Sequence, residues 1–78
     1  MKLSNFVLEK TEGDSFLNKK FFASVDVTTG FIFKKTERKS IMRKYGGSWF
    51  FVETGKYTPD FQVERLARAW YAKTGQEV

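Results

Sequence analysis

Residues 21–30 read Phe21-Phe22-Ala23-Ser24-Val25-Asp26-Val27-Thr28-Thr29-Gly30, and their alternation decides the fold. Phe21, Ala23, Val25 and Val27 alternate with Phe22, Ser24 and Asp26, the period-2 signature of a strand with one face on a core. Thr28-Thr29-Gly30 then sets a glycine where a tight hairpin needs a residue at positive φ. Phe31-Ile32-Phe33 is expected to begin the return strand, which turns basic at Lys34-Lys35. Thr36 to Lys39 is polar and is expected to form the next loop.

Downstream, Ser40 to Tyr45 and Ser48 to Thr54 read as strands joined by Gly46-Gly47, a two-residue hairpin signal. That turn predicts a register: Tyr45 opposite Ser48, Lys44 opposite Trp49, Arg43 opposite Phe50, Met42 opposite Phe51, Ile41 opposite Val52. One face would then carry Ile41, Arg43, Tyr45, Phe50 and Val52, and the other Met42, Lys44, Trp49 and Phe51. Upstream, Leu3 to Leu8 reads as a short first strand, and Thr11-Glu12-Gly13-Asp14 as a turn.

A loop around Gly55 leads to Thr58-Pro59-Asp60, which reads as a helix start: Thr as N-cap, Pro first in the helix, an acid at the positive dipole end. Val63, Leu66, Ala67, Trp70 and Tyr71 form an apolar stripe of period 3.6, with Arg65, Arg68 and Ala72 opposite. Glu64 and Arg68 are spaced for an i,i+4 pair. Gly75 is the expected stop, and residues 76–78 are expected to fray. The predicted fold is α+β: an antiparallel β-meander of four to five strands with one C-terminal α-helix packed on one face.

Seventy-eight residues supply one small core, and a chain of that size buries only about 60–65% of its unfolded surface. Small domains commonly add disulfides, metal or a second subunit. The chain has no cysteine and no histidine, so disulfides and the usual zinc ligands are missing. Nine Phe, three Tyr and two Trp supply an aromatic core instead.

The same absences weigh against catalysis, because the commonest general base and the best thiol nucleophile are lacking. No serine lies in a Ser-x-x-Lys setting, and there is no phosphate-cradling glycine loop. Asp60 and Glu64 share a helix face, but a helix start and a solvated ion pair account for them. No enzyme activity, cofactor, metal or small-molecule substrate is expected.

Charge is more informative. The net charge is +5, and residues 34–44 carry all of it: Lys34, Lys35, Arg38, Lys39, Arg43 and Lys44 against Glu37. Clustered Lys and Arg are the electrostatic footprint of a polyanion site. Six phosphate contacts on duplex DNA would give a log–log salt slope of about −5. The predicted register sets Lys44 beside Trp49, suited to cation–π contact. Two readings of Trp49 and Phe51 stay open: a platform on which bases stack, or core side chains with Lys44 snorkelling at the rim. The basic run also has a structural reading, as a guard against edge-to-edge aggregation. Arg65, Arg68 and Lys73 lie off the apolar stripe and read as solvated.

The order of a sheet meander followed by one C-terminal helix is similar to two nucleic-acid-binding architectures. One is the three-stranded-sheet-plus-helix domain of plant transcription factors and phage integrase arm-binding domains. The other is the four-strand-plus-helix fold of single-strand-binding transcriptional cofactors. The likeness lies in element order, with no motif that carries residues across.

The expected function is therefore nucleic-acid binding through the basic hairpin, with Lys34, Lys35, Arg38, Lys39, Arg43, Lys44 and Trp49 as site residues. The alternative is a protein-interaction module that docks an acidic partner, for which surplus aromatics and Arg are suited. A homodimer that buries the second aromatic face or pairs edge strands is compatible with both. Met1 to Lys10 lacks the apolar run of a signal peptide, so a cytoplasmic location is expected. Membrane binding is set aside because the amphipathic helix is needed for the core.

Overall fold

In the computed structural model, which describes residues 1–78 except for the side chain of Phe16, the alternating segment is the second strand of a four-stranded sheet. The strands are β1 (Lys2–Glu12), β2 (Lys20–Thr29), β3 (Lys35–Lys44) and β4 (Phe50–Phe51), antiparallel neighbours in chain order. A 3-10 turn at Phe16–Asn18 joins β1 to β2, and the helix α1 (Asp60–Thr74) packs against β1. The predicted α+β meander with a C-terminal helix on one face is thus the observed architecture.

The core lies between α1 and the face of the sheet that carries Phe21, Ala23, Val25 and Val27, all buried. Ile41 from β3 and Val63 from α1 are fully enclosed there. An aromatic chain ties the layers together: Phe6 meets Trp49 edge-on at 5.5 Å and Trp70 at 6.1 Å between ring centroids. Such pairs add about 0.5–1.5 kcal/mol each beyond the area they bury. Gln62, in the first turn of α1, accepts from Leu3 N at 2.7 Å and donates to Met1 O at 3.0 Å, which fixes the helix start to the beginning of β1.

Four local expectations are corrected. The first strand is longer than Leu3 to Leu8, running Lys2–Glu12, and it breaks its register twice, between Ser4 and Val7 and between Leu8 and Lys10. Asn5, at φ 53°, sits in the first break. The break lets Leu3 and Phe6, three residues apart, both point into the core, which a regular period of two forbids.

Secondly, the return strand does not begin at Phe31. Thr28 pairs with Thr36 and Thr29 with Lys35, so Gly30 to Lys34 form a loop and the polar stretch Thr36 to Lys39 is strand. β2 supplies its backbone partners, and cross-strand pairing outweighs intrinsic propensity.

Thirdly, β4 is only two residues long, with Met42 opposite Phe50 and Ile41 opposite Phe51, one residue from the predicted register. Gly47 N donates to Lys44 O at 2.8 Å and Gly46 takes φ 78°, so the turn uses three residues rather than two. Because side chains alternate, that single step exchanges the faces. Trp49 joins Ile41 in the core and Phe51 packs beside it, while Phe50 moves to the opposite face.

Fourthly, Pro59 rather than Thr58 is the N-cap, and the Thr58 hydroxyl, buried, donates to Trp49 O at 3.2 Å instead. Within α1, Val63 and Ala67 are buried and Leu66 and Trp70 pack against the core, but Tyr71 is exposed. Arg68 lies 3.9 Å from Glu64. Gly75 ends the helix at φ 75°. Beyond it, Gln76 Oε1 accepts from Trp70 Nε1 at 3.1 Å and Val78 packs against the core.

Candidate nucleic-acid interface

The helix covers one face of the sheet, and the second face carries the side chains that alternate away from the core. Strand register sets five of them in a line. Lys10 lies opposite Phe22, Phe22 opposite Met42, Met42 opposite Phe50, and Phe50 bridges to Tyr57. At about 4.8 Å per strand the row is about 19 Å long. Phe22, Met42 and Phe50 are half-buried by one another and Tyr57 is exposed. Lys10 Nζ stands 4.8 Å from the centre of the Phe22 ring, and Phe50 and Tyr57 meet edge to face at 6.5 Å. The row thus runs from one ammonium group, at Lys10, through Phe22, Met42 and Phe50 to Tyr57 on an open surface.

Two residues along β2 and β3 from that row, Lys20 is paired directly with Lys44, and both are exposed. Like charges directly opposite are unfavourable in a sheet. The Glu12 carboxylate, opposite Lys20 on β1 and 2.7 Å from Lys10 Nζ, offsets part of that repulsion, and an anion laid beside Lys44 would remove the rest.

On the other side of the row the surface is closed electrostatically. Ser24, buried, donates to Glu9 Oε1 at 2.6 Å and accepts from Arg38 Nη2 at 2.8 Å. Arg38 also pairs with Asp26 at 3.1 Å and donates to Asn5 O, while Asn5 Nδ2 donates to Asp26 Oδ2 at 2.7 Å. The Asn5 amide first, and then Arg38, hold the Asp26 carboxyl below its usual range.

The pleat divides the seven sequence-predicted residues. Arg38 and Lys44 stand on the open face, Arg38 within the network just described. Lys35, Lys39 and Arg43 alternate to the helix side, Lys34 lies in the loop after Gly30, and Trp49 is only 5% exposed. On the helix side Glu37 pairs with Lys35 at 2.8 Å and Lys39 at 3.2 Å, and Lys39 reaches Glu53 at 3.0 Å. Lys35 and then Lys39 pull the Glu37 carboxyl below its ordinary range, and Glu53 ahead of Glu37 raises the Lys39 ammonium. The Arg43 guanidinium lies over Phe21 at 4.9 Å and Trp49 at 5.8 Å, with Nε buried and unpaired among the described residues. It serves as a packing group at the end of the core.

Phe22, Phe50, Tyr57, Lys10 and Lys20 were outside the predicted set. The alternation of residues 21–27 already sends Phe22 away from the core, and that was the signal available. Bringing Lys20 to Lys44, or Phe50 to Met42, depends on hairpin loop lengths that the sequence misassigns by one or more residues.

Among the described residues no group of three or more acidic, Cys or His side chains could hold a metal ion, and no helix is long and apolar enough to cross a membrane. Comparison with known proteins finds no match, whether to a protein-family model, a curated protein or a solved structure.

Proposed function

We propose that this chain is a nucleic-acid-binding accessory module that holds a single strand across the open sheet face. The observation that carries the reading is the row Lys10–Phe22–Met42–Phe50–Tyr57, flanked by the like-charged pair Lys20 and Lys44. Bases stack on Phe22 and Phe50, which lie two strands, about 10 Å, apart. Phosphates lie against Lys10, Lys20 and Lys44. Stacking tolerates any base, and no side chain on the row is an Asn, Gln or Arg set to read base edges. The reading is thus of a sequence-tolerant binder of single strands. The half-exposed rings of Phe22 and Phe50 serve a splayed strand better than a duplex, whose bases are already stacked on each other.

Anisotropy titrations with labelled single- and double-stranded oligonucleotides at several salt concentrations test this. Three phosphate contacts predict a log–log salt slope of about −2 for a single strand. Phe22→Ala or Phe50→Ala should each weaken binding by about 5- to 150-fold, the equivalent of one lost stack. Trp49 and Trp70 both lie on the helix side, so tryptophan emission should stay constant on binding. No binding at low salt, or equal affinity for duplex, would refute the reading.

A further inference from the structure

The loop that follows β2 sets three consecutive large apolar residues in water: Phe31 is 92% exposed, Ile32 79% and Phe33 91%. They are held in a defined turn. Gly30, at φ 100°, lies so close to the Phe33 carbonyl that a Cβ would overlap it. Successive side chains leave the backbone in different directions, so the apolar surface wraps the tip of the β2–β3 ribbon rather than forming one flat patch. A protein pocket would take one side of such a tip and leave the rest in water. A fluid apolar phase takes all of it.

Cationic groups gather behind the tip. Lys34 follows Phe33 directly, and Lys2 lies opposite Thr28, itself opposite Thr36, so the start of β1 stands beside the ribbon. Lys56 borders the same end, lining a cleft with Met1 and Thr29. The acids of this half of the sheet are engaged within the chain: Asp26 pairs with Arg38, Glu37 with Lys35 and Lys39, and Glu53 with Lys39. Among the described residues Lys2, Lys34, Lys56 and the Met1 amino group make no ion pair. Asp60, at the helix start that Gln62 ties to Met1 and Leu3, is the one acid toward this end that makes none either. The surplus charge behind the tip is positive.

We propose that loop 30–34 docks the chain on an anionic lipid bilayer. The Phe31, Ile32 and Phe33 side chains enter the boundary between headgroups and acyl chains, and Lys34, Lys2 and Lys56 face the anionic headgroups. This joins the two attractions that reversible membrane binding takes, apolar burial and attraction to acidic lipid. An insertion of about 5–10 Å is the depth of that boundary. The peptide groups of the turn then stay at headgroup level, where water reaches them, and no unpaired N–H or C=O enters hydrocarbon. Helix α1 takes no part, because its apolar stripe is committed to the core. Lys20 and Lys44, at the far ends of β2 and β3, stand about 30 Å from the tip. The contact is therefore independent of the single-strand reading and leaves the open-face row in water.

Flotation of the intact chain with vesicles of phosphatidylcholine alone, and of an equimolar mixture of phosphatidylcholine and phosphatidylserine, is the test. The expected result is binding to the mixed vesicles that weakens with salt and is far weaker on phosphatidylcholine alone. Phe31→Ser with Phe33→Ser should lower the partition coefficient by about 100-fold or more. Far-ultraviolet circular dichroism should not change, because both side chains stand in water. The same variant should bind a single strand as the parent does, so the two readings fail separately. Lys34→Gln should lower partitioning about fivefold, and on the mixed vesicles only. Phe31→Trp should add an emission that moves to shorter wavelength with vesicles, while the emission of the parent chain stays constant. Absence of binding to mixed vesicles at low salt, binding that the double serine variant retains, or an unshifted Phe31→Trp emission would overturn the proposal. So would tip-dependent self-association, or tip-dependent binding to duplex DNA, by a chain that ignores vesicles, since a second copy or a groove would then be the occupant.

Discussion

Reversing the charge at Lys44 should strengthen the fold while it weakens the site. Lys20 and Lys44 are direct cross-strand partners, so their ammonium groups can be taken as about 6 Å apart. In water that repulsion is about 0.7 kcal/mol, and Lys44→Glu turns it into an attraction of the same size. The swing of about 1.4 kcal/mol is roughly halved by screening at physiological ionic strength, leaving about 0.7 kcal/mol. For a domain of this length that raises Tm by about 3–5 °C. Urea unfolding at low salt, at physiological salt and at 1 M salt would read it, and Lys44→Gln should give about half the gain. The gain should shrink steadily with added salt. In parallel the variant should lose affinity for a single strand, with a salt slope smaller by about 0.7. A stability change of the opposite sign, or one indifferent to salt, would refute the electrostatic account of this pair. A more stable variant that binds as well as the parent would remove Lys44 from the site.

Three further outcomes are expected. Phe6→Ala removes the ring that links Trp49 to Trp70 and should cost about 3–5 kcal/mol, a large share of the stability of so small a chain, read by urea unfolding and a red-shifted tryptophan emission. Gly30→Ala forces a Cβ against the Phe33 carbonyl at positive φ and should cost about 1 kcal/mol or more, with altered amide resonances confined to the loop and the adjoining ends of β2 and β3. The Asp26 and Glu37 carboxyls are held below their unfolded values, so they bind fewer protons folded than unfolded. Their contribution is fully present above the unfolded carboxyl range near pH 4 and is lost as pH falls through the depressed folded values. Stability should accordingly be level from neutrality to about pH 5 and fall below about pH 4, less steeply in Asp26→Asn; an identical acid limb in that variant would exclude Asp26 from the linkage.

Much of the fold was legible because the strongest pattern was also the most deeply buried. Phe21, Ala23, Val25 and Val27 alternate and all four are core. The stripe Val63, Leu66, Ala67, Trp70 finds its sheet as a helix of that period must. What escaped was loop length. Glycine at 30 suggests a tight turn, yet the loop runs five residues to Lys34, because the register of β3 is set by Ile41 against Ala23 inside the core and not by the turn itself. A three-residue turn in place of two at Gly46-Gly47 carried Trp49 from a possible platform into the interior. The basic run was legible as charge but not as a surface, since a strand deals successive side chains to opposite faces and Glu37, Glu53 and Asp26 meet much of what it deals. Nothing in the composition marks Phe31–Phe33 as exposed, because three consecutive apolar residues look like a buried strand.

The strictly sequential strand order bears on how the molecule comes to be made. Each ladder joins a strand to the one synthesised just before it, so β1 to β4 can zip as the chain leaves the ribosome, with loop closures that are short and fast. The helix is different: it packs on β1, the first element, and supplies Val63 and Ala67 to a core that is otherwise ready. At about 5–20 residues per second, the fifteen residues of α1 take about 1–3 s to emerge. During that interval the nascent sheet presents Phe6, Phe21, Val25 and Ile41 to water, and it is then that a chaperone would find its footing.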